Sequence, residues 1–226
     1  IVAGSLSSNE AIIHNRVKLW PVGFNFENYK YVINNKVFWR SFGVTLQIVL
    51  IGTAINMFFT ILTSYPLSKS GLRGRTAILL FIIFTMIFQA PIVPMYLLIK
   101  ELHLLNTIWA VIVPGAISAF NMMLCITFIR TLPEELFEAA RVDGMSEYRI
   151  IWKIVFLLIM PINVTLILFY AVGHWNNYFG PLLYITDRAL QPLQLYLYTL
   201  ISQFDMDTSG AESVIELSTT ITPQGL

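Results

Sequence analysis

The sequence predicts an all-α membrane protein, a bundle of several helices that cross the bilayer. Its 226 residues are 56% hydrophobic and only 12% charged, whereas ordinary soluble domains carry about 25% charged residues. The apolar residues gather in runs of about 20, the length that crosses a bilayer core as a helix. This apolar composition predicts lipid as a partner, and a formal net charge of +1 gives no broad basic field, so we expect no nucleic acid. We therefore expect a single membrane domain, 1–226.

Four apolar runs without charged residues predict complete spans. Each is long enough, at ~1.5 Å of rise per residue, to cross a core of ~30 Å. The runs are residues 42–66, 77–99, 107–129 and 154–174. A fifth apolar stretch, 178–201, contains Asp187, Arg188 and two prolines, which favours an interfacial or re-entrant segment over a span. Residues 178–226 are predicted to form an outer loop.

Basic residues predict how the bundle is oriented. Lys69, Arg73 and Arg75 crowd the loop after the first span, and an excess of Lys and Arg is typical of cytoplasmic loops. Alternation then places the loop 130–153 on the cytoplasmic side, and its four basic residues agree with this assignment. The basic residues before Phe42 disagree, although they are spread along a longer stretch.

Prolines and amides inside the spans suit a transport pathway, although each has a plainer explanation. Proline removes a helical hydrogen bond and bends a helix, but it is also common in membrane helices. The prolines are Pro91, Pro94, Pro114 and Pro161. Amides should face the bundle interior, where they either pack between helices or contact a ligand. These amides are Gln47, Asn56, Gln89 and Asn121.

The loop between the third and fourth spans predicts a short helix over residues 132–144. Thr131 and Glu134 have the spacing of a capping box at its start. Gly144 can take the left-handed conformation at its end, and Ser146 can cap the helix that follows. An apolar side at four-residue spacing is shaped for a groove in a partner. That side consists of Leu132, Leu136 and Ala140.

The same loop resembles the EAA loop of ABC importer permeases with the type I fold. The sequence Glu-Ala-Ala at 138–140 is followed after three residues by Gly144, and after nine more by Ile154. In that family the pattern ends with Ile, one residue, Leu and Pro. This chain has Phe and Leu at the last two positions, and Pro161 comes four residues later. The departure bears only on the bend at the start of that span.

Flanking segments resemble the carbohydrate-importing branch of the same family. Residues 132–136, Leu-Pro-Glu-Glu-Leu, and residues 169–179 are similar to the smaller permease of the maltose system. They are more similar still to permeases of alginate and other complex-saccharide importers. This resemblance implies a multi-pass protein of the bacterial plasma (inner) membrane. It also implies six spans in the intact protein, of which this fragment would hold about four.

The resemblance also implies partners. They are a second permease subunit in a heterodimer, two cytoplasmic ATPase subunits, an extracytoplasmic binding protein and a saccharide, either an oligosaccharide or a polysaccharide fragment. The sequence contains no phosphate-binding Gly-x-x-x-x-Gly-Lys-Ser/Thr loop, so ATP and Mg are expected on the ATPase subunits. This chain is expected to be non-catalytic and to bind no cofactor. The residues assigned to ATPase coupling are Leu136, Glu138, Ala139, Ala140, Arg141, Asp143 and Gly144.

A substrate pathway is a further hypothesis. Aromatic faces beside amides can stack on sugar rings and bond their hydroxyls, but an interfacial aromatic belt is the alternative. The candidate residues are Gln89, Asn121, Trp175, Asn176, Asn177 and Tyr178. The polar segment 202–224 resembles the family's outer loop that reaches into the binding protein, and a solvated connector is its alternative. Deletion of residues 207–217 is expected to impair transport.

A secondary, ion-coupled transporter subunit is the main alternative function. Such a protein would need ionisable residues inside its spans or paired interrupted segments in repeated halves. The four predicted spans contain no Asp, Glu, Lys or Arg. The three histidines are far apart in sequence and are expected at the surface or the membrane interface. With one cysteine, Cys125, the chain offers no metal-binding pattern.

Overall fold

A computed structural model describes residues 26–88 and 90–203, together with residues 6, 7, 20 and 23. Every regular element in this part of the chain is helical. In chain order the helices are α1 (Glu27–Asn34), α2 (Lys36–Ser68), α3 (Arg75–Ile87), α4 (Ile92–Glu101), α5 (Trp109–Gly115), α6 (Ala119–Ile129), α7 (Glu134–Val142), α8 (Glu147–Leu158), α9 (Met160–Asn176), α10 (Phe179–Tyr184) and α11 (residues 193–203).

Helix α2 is the central helix of the bundle. It runs for 33 residues without a break and extends beyond both ends of the first predicted span. The side chain of Asn35 caps its start by accepting a hydrogen bond from the amide of Val37 at 2.9 Å. Helices α6 and α9 pack along its length. It is therefore the helix through which the two ends of the bundle are joined most directly.

Each of the other three predicted spans corresponds to a pair of helices. The pair α3 and α4 lies at 77–99, and the pair α5 and α6 at 107–129, where the two axes are bent by 47°. The fourth pair, α8 and α9, includes 154–174 and is bent by 87°. By length and composition, α2 is the one helix among the described residues that can cross a bilayer without a break. The count rises to as many as four spans if each bent pair is taken as one span.

Proline accounts for the positions of these breaks. Pro91 stands immediately before α4, and Pro114 lies in the 3₁₀ turn that ends α5. The break between α8 and α9 falls at Ile159, two residues before Pro161. A proline lacks the amide hydrogen that an interior helical position must donate, and its ring clashes with the preceding turn. Bends are therefore present at or near Pro91, Pro114 and Pro161, including the one that the departure from the EAA pattern left open, whereas Pro94 lies in the first turn of α4 without a break of its own.

Two buried amides bond backbone carbonyls at these breaks. The Nδ2 group of Asn56 donates to the carbonyl of Gly115, where α5 ends. The Nδ2 group of Asn163 donates to the carbonyl of Phe156 at 2.9 Å, beside the break before α9. In hydrocarbon an unpaired carbonyl is costly, so these amides make the broken helices tolerable.

The loops group at two ends of the bundle, as alternation of the spans predicts. The ammonium of Lys69, just after α2, lies 3.3 Å from a carboxylate oxygen of Glu134 in α7. The side-chain oxygen of Asn106, between α4 and α5, accepts a hydrogen bond from the amide of Thr186 at 2.7 Å. The two loops predicted to be cytoplasmic therefore share one end, and the loop after α10 lies at the other.

The largest buried cluster joins α2, α6, α7, α8 and α9. Residues from all five helices contribute to it, among them Ile61, Cys125, Phe137, Ile150 and Leu166. Many large apolar residues remain on the outside, which is the surface that lipid and partner chains would cover. Gln47 also lies on this outer surface of α2, so the prediction that it faces the interior of this chain is wrong.

Candidate functional site

The short helix of the EAA-like loop begins later and ends earlier than predicted. Helix α7 begins at Glu134, with Pro133 at the capping position and no side-chain cap bond. The hydroxyl of Thr131 donates to the carbonyl of Phe128 at 2.7 Å instead. The predicted capping box is therefore wrong. A proline suits this position because the first helical turn needs no amide donor from it.

The end of α7 agrees with the prediction for Gly144. This residue has a φ of +75°, in the left-handed region where side chains are strained. The amide of Met145 bonds the carbonyl of Ala140 at 3.0 Å, and that of Gly144 bonds the carbonyl of Arg141 at 3.0 Å, the pattern of a Schellman cap. Ser146 follows at the capping position of α8, although its side chain makes no cap bond.

Helix α7 presents two different faces. Phe137 and Ala140 are 1% and 4% exposed and belong to the core cluster, against which Leu132 also packs. The predicted apolar stripe is therefore wrong, because two of its three members contact this chain's own core and only Leu136 lies outside. The face left open for a partner carries both acidic and apolar residues. It consists of Glu135, Leu136, Glu138, Ala139, Val142 and Asp143.

Lys69 attaches the first turn of α7 to the end of α2. Its ammonium lies 3.3 Å from Oε1 of Glu134 and 3.4 Å from the centre of the Phe137 ring. Partial burial lowers the pKa of the Lys69 ammonium, although the carboxylate of Glu134 acts to raise it. The cation therefore contacts both an anion and an aromatic face, each of which favours its charged form.

Glu147 attaches the last turn of α7 to α2. Its Oε2 accepts a hydrogen bond from the hydroxyl of Tyr65 at 2.8 Å, and its Oε1 lies 2.9 Å from Nε of Arg141. Arg141 was expected to couple to the ATPase, and here part of its guanidinium pairs within the chain. The roles of Tyr65, Lys69 and Glu147 were missed by the sequence reasoning, because the Lys69–Glu134 and Tyr65–Glu147 contacts join residues 65 and 82 positions apart, which no local pattern relates.

A polar cavity of about 300 Å³ lies among α2, α5, α6 and α9. It is lined mostly by amides, a hydroxyl and rings that can bond to a ligand. The polar and aromatic residues around it are Asn56, Ser118, Asn121, Phe169, Tyr170, His174 and Asn177. No Asp, Glu, Lys or Arg occurs among the residues that line it. Its chemistry is therefore that of neutral hydrogen bonding.

One wall of the cavity is a junction of three helices. The Nδ2 group of Asn56 donates to the carbonyl of Gly115, so its Oδ1 is the atom left to accept the bond from His174, at 2.8 Å. His174 must then carry its proton on Nε2. It is half-buried at the cavity wall and bonded to α2, which differs from the predicted surface or interfacial position. The ring fits because Gly52 has no side chain: a Cβ there would lie 2.5 Å from Nε2.

The structure brings two of the predicted substrate residues together. Asn121 is 6% exposed and lines the cavity, so it faces the interior as predicted, and Asn177 lines the same cavity. Asn176 is exposed and is not among the residues that line it. Gln89 lies outside the described residues. Asn56, Ser118 and His174 are cavity residues that the hypothesis left out, and polar residues spaced along apolar spans were the available signal.

The predicted aromatic candidates lie beside the cavity. Trp175 is half-buried and meets the ring of Phe42 edge to face, with 6.1 Å between centroids. Tyr178 stacks on Tyr198 with 5.0 Å between centroids, and both rings are more than 40% exposed. The stacked pair forms an open aromatic surface at the end of the bundle predicted to be the outer one. Residues 204–226 of the predicted outer loop lie outside the described part of the chain.

Comparison with known proteins decides the family. Residues 57–221 match the family described as the binding-protein-dependent transport system inner membrane component. The chain belongs to this family. It is a multi-pass permease of the inner membrane with the type I permease fold, as predicted. The ion-coupled alternative is therefore set aside.

Relatives of known name support the assignment. The permease is 40% identical to protein LplC of Bacillus subtilis (strain 168), over 95% of this chain and 72% of that protein. It is 35% identical to the polygalacturonan/rhamnogalacturonan transport system permease protein YtcP of the same organism, over 94% of this chain and 76% of that protein.

A solved structure has the same arrangement of helices. It is described as the crystal structure of a bacterial ABC transporter involved in the import of the acidic polysaccharide alginate. The TM-score is 0.87 with 31% sequence identity, over 95% of this chain and 77% of that chain. The permease therefore shares its fold with a chain of an ABC importer.

Proposed function

We propose that this permease forms half of the translocation pathway of a carbohydrate importer. In this proposal an extracytoplasmic binding protein delivers an oligosaccharide or polysaccharide fragment. A second, different permease subunit forms the other half of the pathway, and two cytoplasmic ATPase subunits bind ATP and Mg. The observation that carries the proposal is the open face of α7, held by a glycine cap at the end of the bundle predicted to be cytoplasmic. Relatives named for polysaccharide transport support the class of substrate.

The polar cavity supports a saccharide as the substrate. The side chains of Asn121 and Asn177 offer both donors and acceptors, which sugar hydroxyls require. A volume of about 300 Å³ is at the lower end of the range for small-molecule sites, enough for a short part of a chain that passes through. The stacked rings of Tyr178 and Tyr198 at the outer end offer a flat apolar face for a sugar ring.

The open face of α7 supports coupling to an ATPase. Glu138 and Ala139 lie on this face, where a charge can pair with a basic partner residue and a small side chain permits close approach. Asp143 and Leu136 flank them. Closure of two ATPase subunits would pull the α7 helices of both permeases together and turn the spans as rigid bodies from inward-facing to outward-facing.

Reconstitution tests this function. The permease is assembled with its partner permease, the ATPase subunits and the binding protein in proteoliposomes, and uptake is measured for neutral and uronate-containing oligosaccharides. We expect uptake of at least one saccharide that requires both ATP and the binding protein. Uptake that continues on an ion gradient without ATP, or no uptake of any saccharide by an assembled complex, would contradict the proposal.

A further inference from the structure

The inner end of α2 holds α7 and the start of α8 at two separate points. We propose that Tyr65 and Lys69 are positioning residues that transmit the displacement of α7 to α2. With Glu134, Arg141 and Glu147 they form what we call the α2 latch. This inference rests on the proposed function, because it assigns the route by which ATP-driven movement of α7 reaches the spans.

The first point of the latch is Lys69. Its ammonium lies 3.3 Å from a carboxylate oxygen of Glu134 and 3.4 Å from the centre of the Phe137 ring. Phe137 is 1% exposed, and its ring also meets Tyr65 edge to face, with 5.9 Å between centroids. The cation at the end of α2 therefore contacts two residues of α7, Glu134 in its first turn and Phe137, whose ring is fixed in the core.

The second point of the latch is Glu147. Its two carboxylate oxygens bind different helices, since Oε2 accepts from the hydroxyl of Tyr65 in α2 and Oε1 pairs with Arg141 in α7. The Tyr65 hydroxyl donates to a carboxylate in a partly buried contact, and such bonds to an ionised partner are among the stronger hydrogen bonds in proteins. The last turn of α7 is thus connected to α2 through Arg141, Glu147 and Tyr65, and its first turn is connected to the end of α2 through Lys69.

Two attachments prevent α7 from pivoting or sliding on α2. Between them Phe137 and Ala140 are packed in the core, and close-packed interiors resist gradual deformation. Helix α2 runs unbroken for 33 residues, and its Asn56 bonds both Gly115 and His174 at the polar cavity. Movement of α7 therefore has a rigid route to the residues of the proposed pathway.

The hydroxyl of Tyr65 is tested with Tyr65→Phe, which keeps the ring and removes the bond to Glu147. Tyr148→Phe is the matched control, because Tyr148 lines a surface groove together with Tyr65, Lys69, Arg141 and Glu147 but is itself 72% exposed. In the reconstituted complex we expect Tyr65→Phe to keep subunit assembly and basal ATP hydrolysis. The saccharide taken up per ATP should fall by about fivefold, and Tyr148→Phe should match wild type.

Lys69 is tested by Lys69→Ala with Lys69→Arg as the conservative variant. Arginine retains both the ion pair and the contact with the ring, so Lys69→Arg should restore uptake per ATP that Lys69→Ala loses. If Tyr65 and Lys69 act on one latch, the loss in the double variant Tyr65→Phe with Lys69→Ala should be smaller than the product of the single losses. Unfolding temperatures of all variants serve as the control for a merely structural effect.

A second measurement is independent of any saccharide. Hydrogen exchange of the permease–ATPase complex is compared before and after addition of ATP and vanadate. In wild type we expect changed protection in both α7 and residues 60–68 of α2. With the latch broken, α7 should still respond while residues 60–68 should not.

Three results would overturn the latch. The first is a hydrogen-exchange response of residues 60–68 in both Tyr65→Phe and Lys69→Ala that equals the wild-type response. The second is saccharide uptake per ATP in these two variants that equals wild type. The third is a loss of uptake per ATP in Tyr148→Phe as large as that in Tyr65→Phe. A wild-type complex that takes up no saccharide but shows the paired exchange response would instead refute the proposed substrate and leave the latch supported.

Discussion

Gly144 is the residue whose conformation most constrains the loop. Its φ of +75° closes the cap between α7 and α8. We predict that Gly144→Val costs about 1–3 kcal/mol of local conformational stability, because a β-branched residue is strained in the left-handed region. The chain should remain inserted, whereas ATPase association or the coupling of hydrolysis to uptake should weaken. ATPase stimulation by loaded binding protein, measured beside uptake, reports this change.

Two variants control for the substitution at Gly144. Gly144→Asn should retain more coupling than Gly144→Val, because asparagine tolerates the left-handed region. Gly71→Val should show close to wild-type coupling. Gly71 lies in another loop at the same end of the bundle, a Cβ there would meet nothing within 4 Å, and its φ is not in the left-handed region. Normal stimulation and normal uptake in Gly144→Val would show that the cap is not needed for coupling.

Gly52 makes room for the His174 ring beside Asn56. A Cβ at this position would lie 2.5 Å from Nε2 of the histidine, so we predict that Gly52→Ala lowers the free energy of unfolding by about 1–3 kcal/mol. Thermal unfolding in detergent measures the loss. Gly43→Ala is the matched control on the same helix, because its Cβ would meet nothing within 4 Å.

A double variant separates crowding from other causes at this position. His174→Ala removes the ring that the new methyl group would strike, so Gly52→Ala should cost less in that background than in wild type. Equal costs in the two backgrounds would refute the close packing of Gly52 on His174.

At the scale of the element, neighbouring alanines on α7 separate docking from folding. Ala139 is exposed and Ala140 is 4% exposed in the core. We predict that Ala139→Trp leaves the unfolding temperature unchanged and weakens binding of the ATPase subunits. Ala140→Trp should instead destabilise the permease by about 1–3 kcal/mol or more, because overpacking strains a filled core. Copurification of the ATPase and thermal unfolding distinguish the two outcomes.

The two alanines control for each other. A loss of unfolding stability in Ala139→Trp equal to that in Ala140→Trp would mean that α7 has no open face. Full ATPase binding by a stable Ala139→Trp permease would place the docking surface elsewhere.

At the scale of the whole molecule, the polar cavity connects several spans. We predict that Asn121→Ala raises the KM for saccharide uptake by roughly 2- to 10-fold, as expected for the loss of one hydrogen bond, while assembly with the ATPase remains normal. Gln47→Ala, on the outer surface of α2, serves as the comparison. An unchanged KM for every accepted saccharide in Asn121→Ala would remove this residue from the pathway.

Much of the fold follows from the sequence because its determinants are local. A run of about 20 apolar residues must cross the bilayer as a helix, and the breaks lie at or near Pro91, Pro114 and Pro161, where an amide donor is missing. The cap at Gly144 was likewise local, because a left-handed residue after a helix favours glycine. Capping by Thr131 failed because Pro133 starts the helix later.

The tertiary structure decided which face each helix turns inward and which distant residues meet. The sequence placed Ala140 in a stripe for a partner, but Phe137 beside it fills the core and turns that side inward. Asn56 and His174 are 118 positions apart, and they meet only because Gly52 lets α9 approach α2. Such contacts depend on the packing of several helices at once. Local pattern carries no information about them, and for that reason both the α2 latch and the polar cavity emerged only from the folded chain.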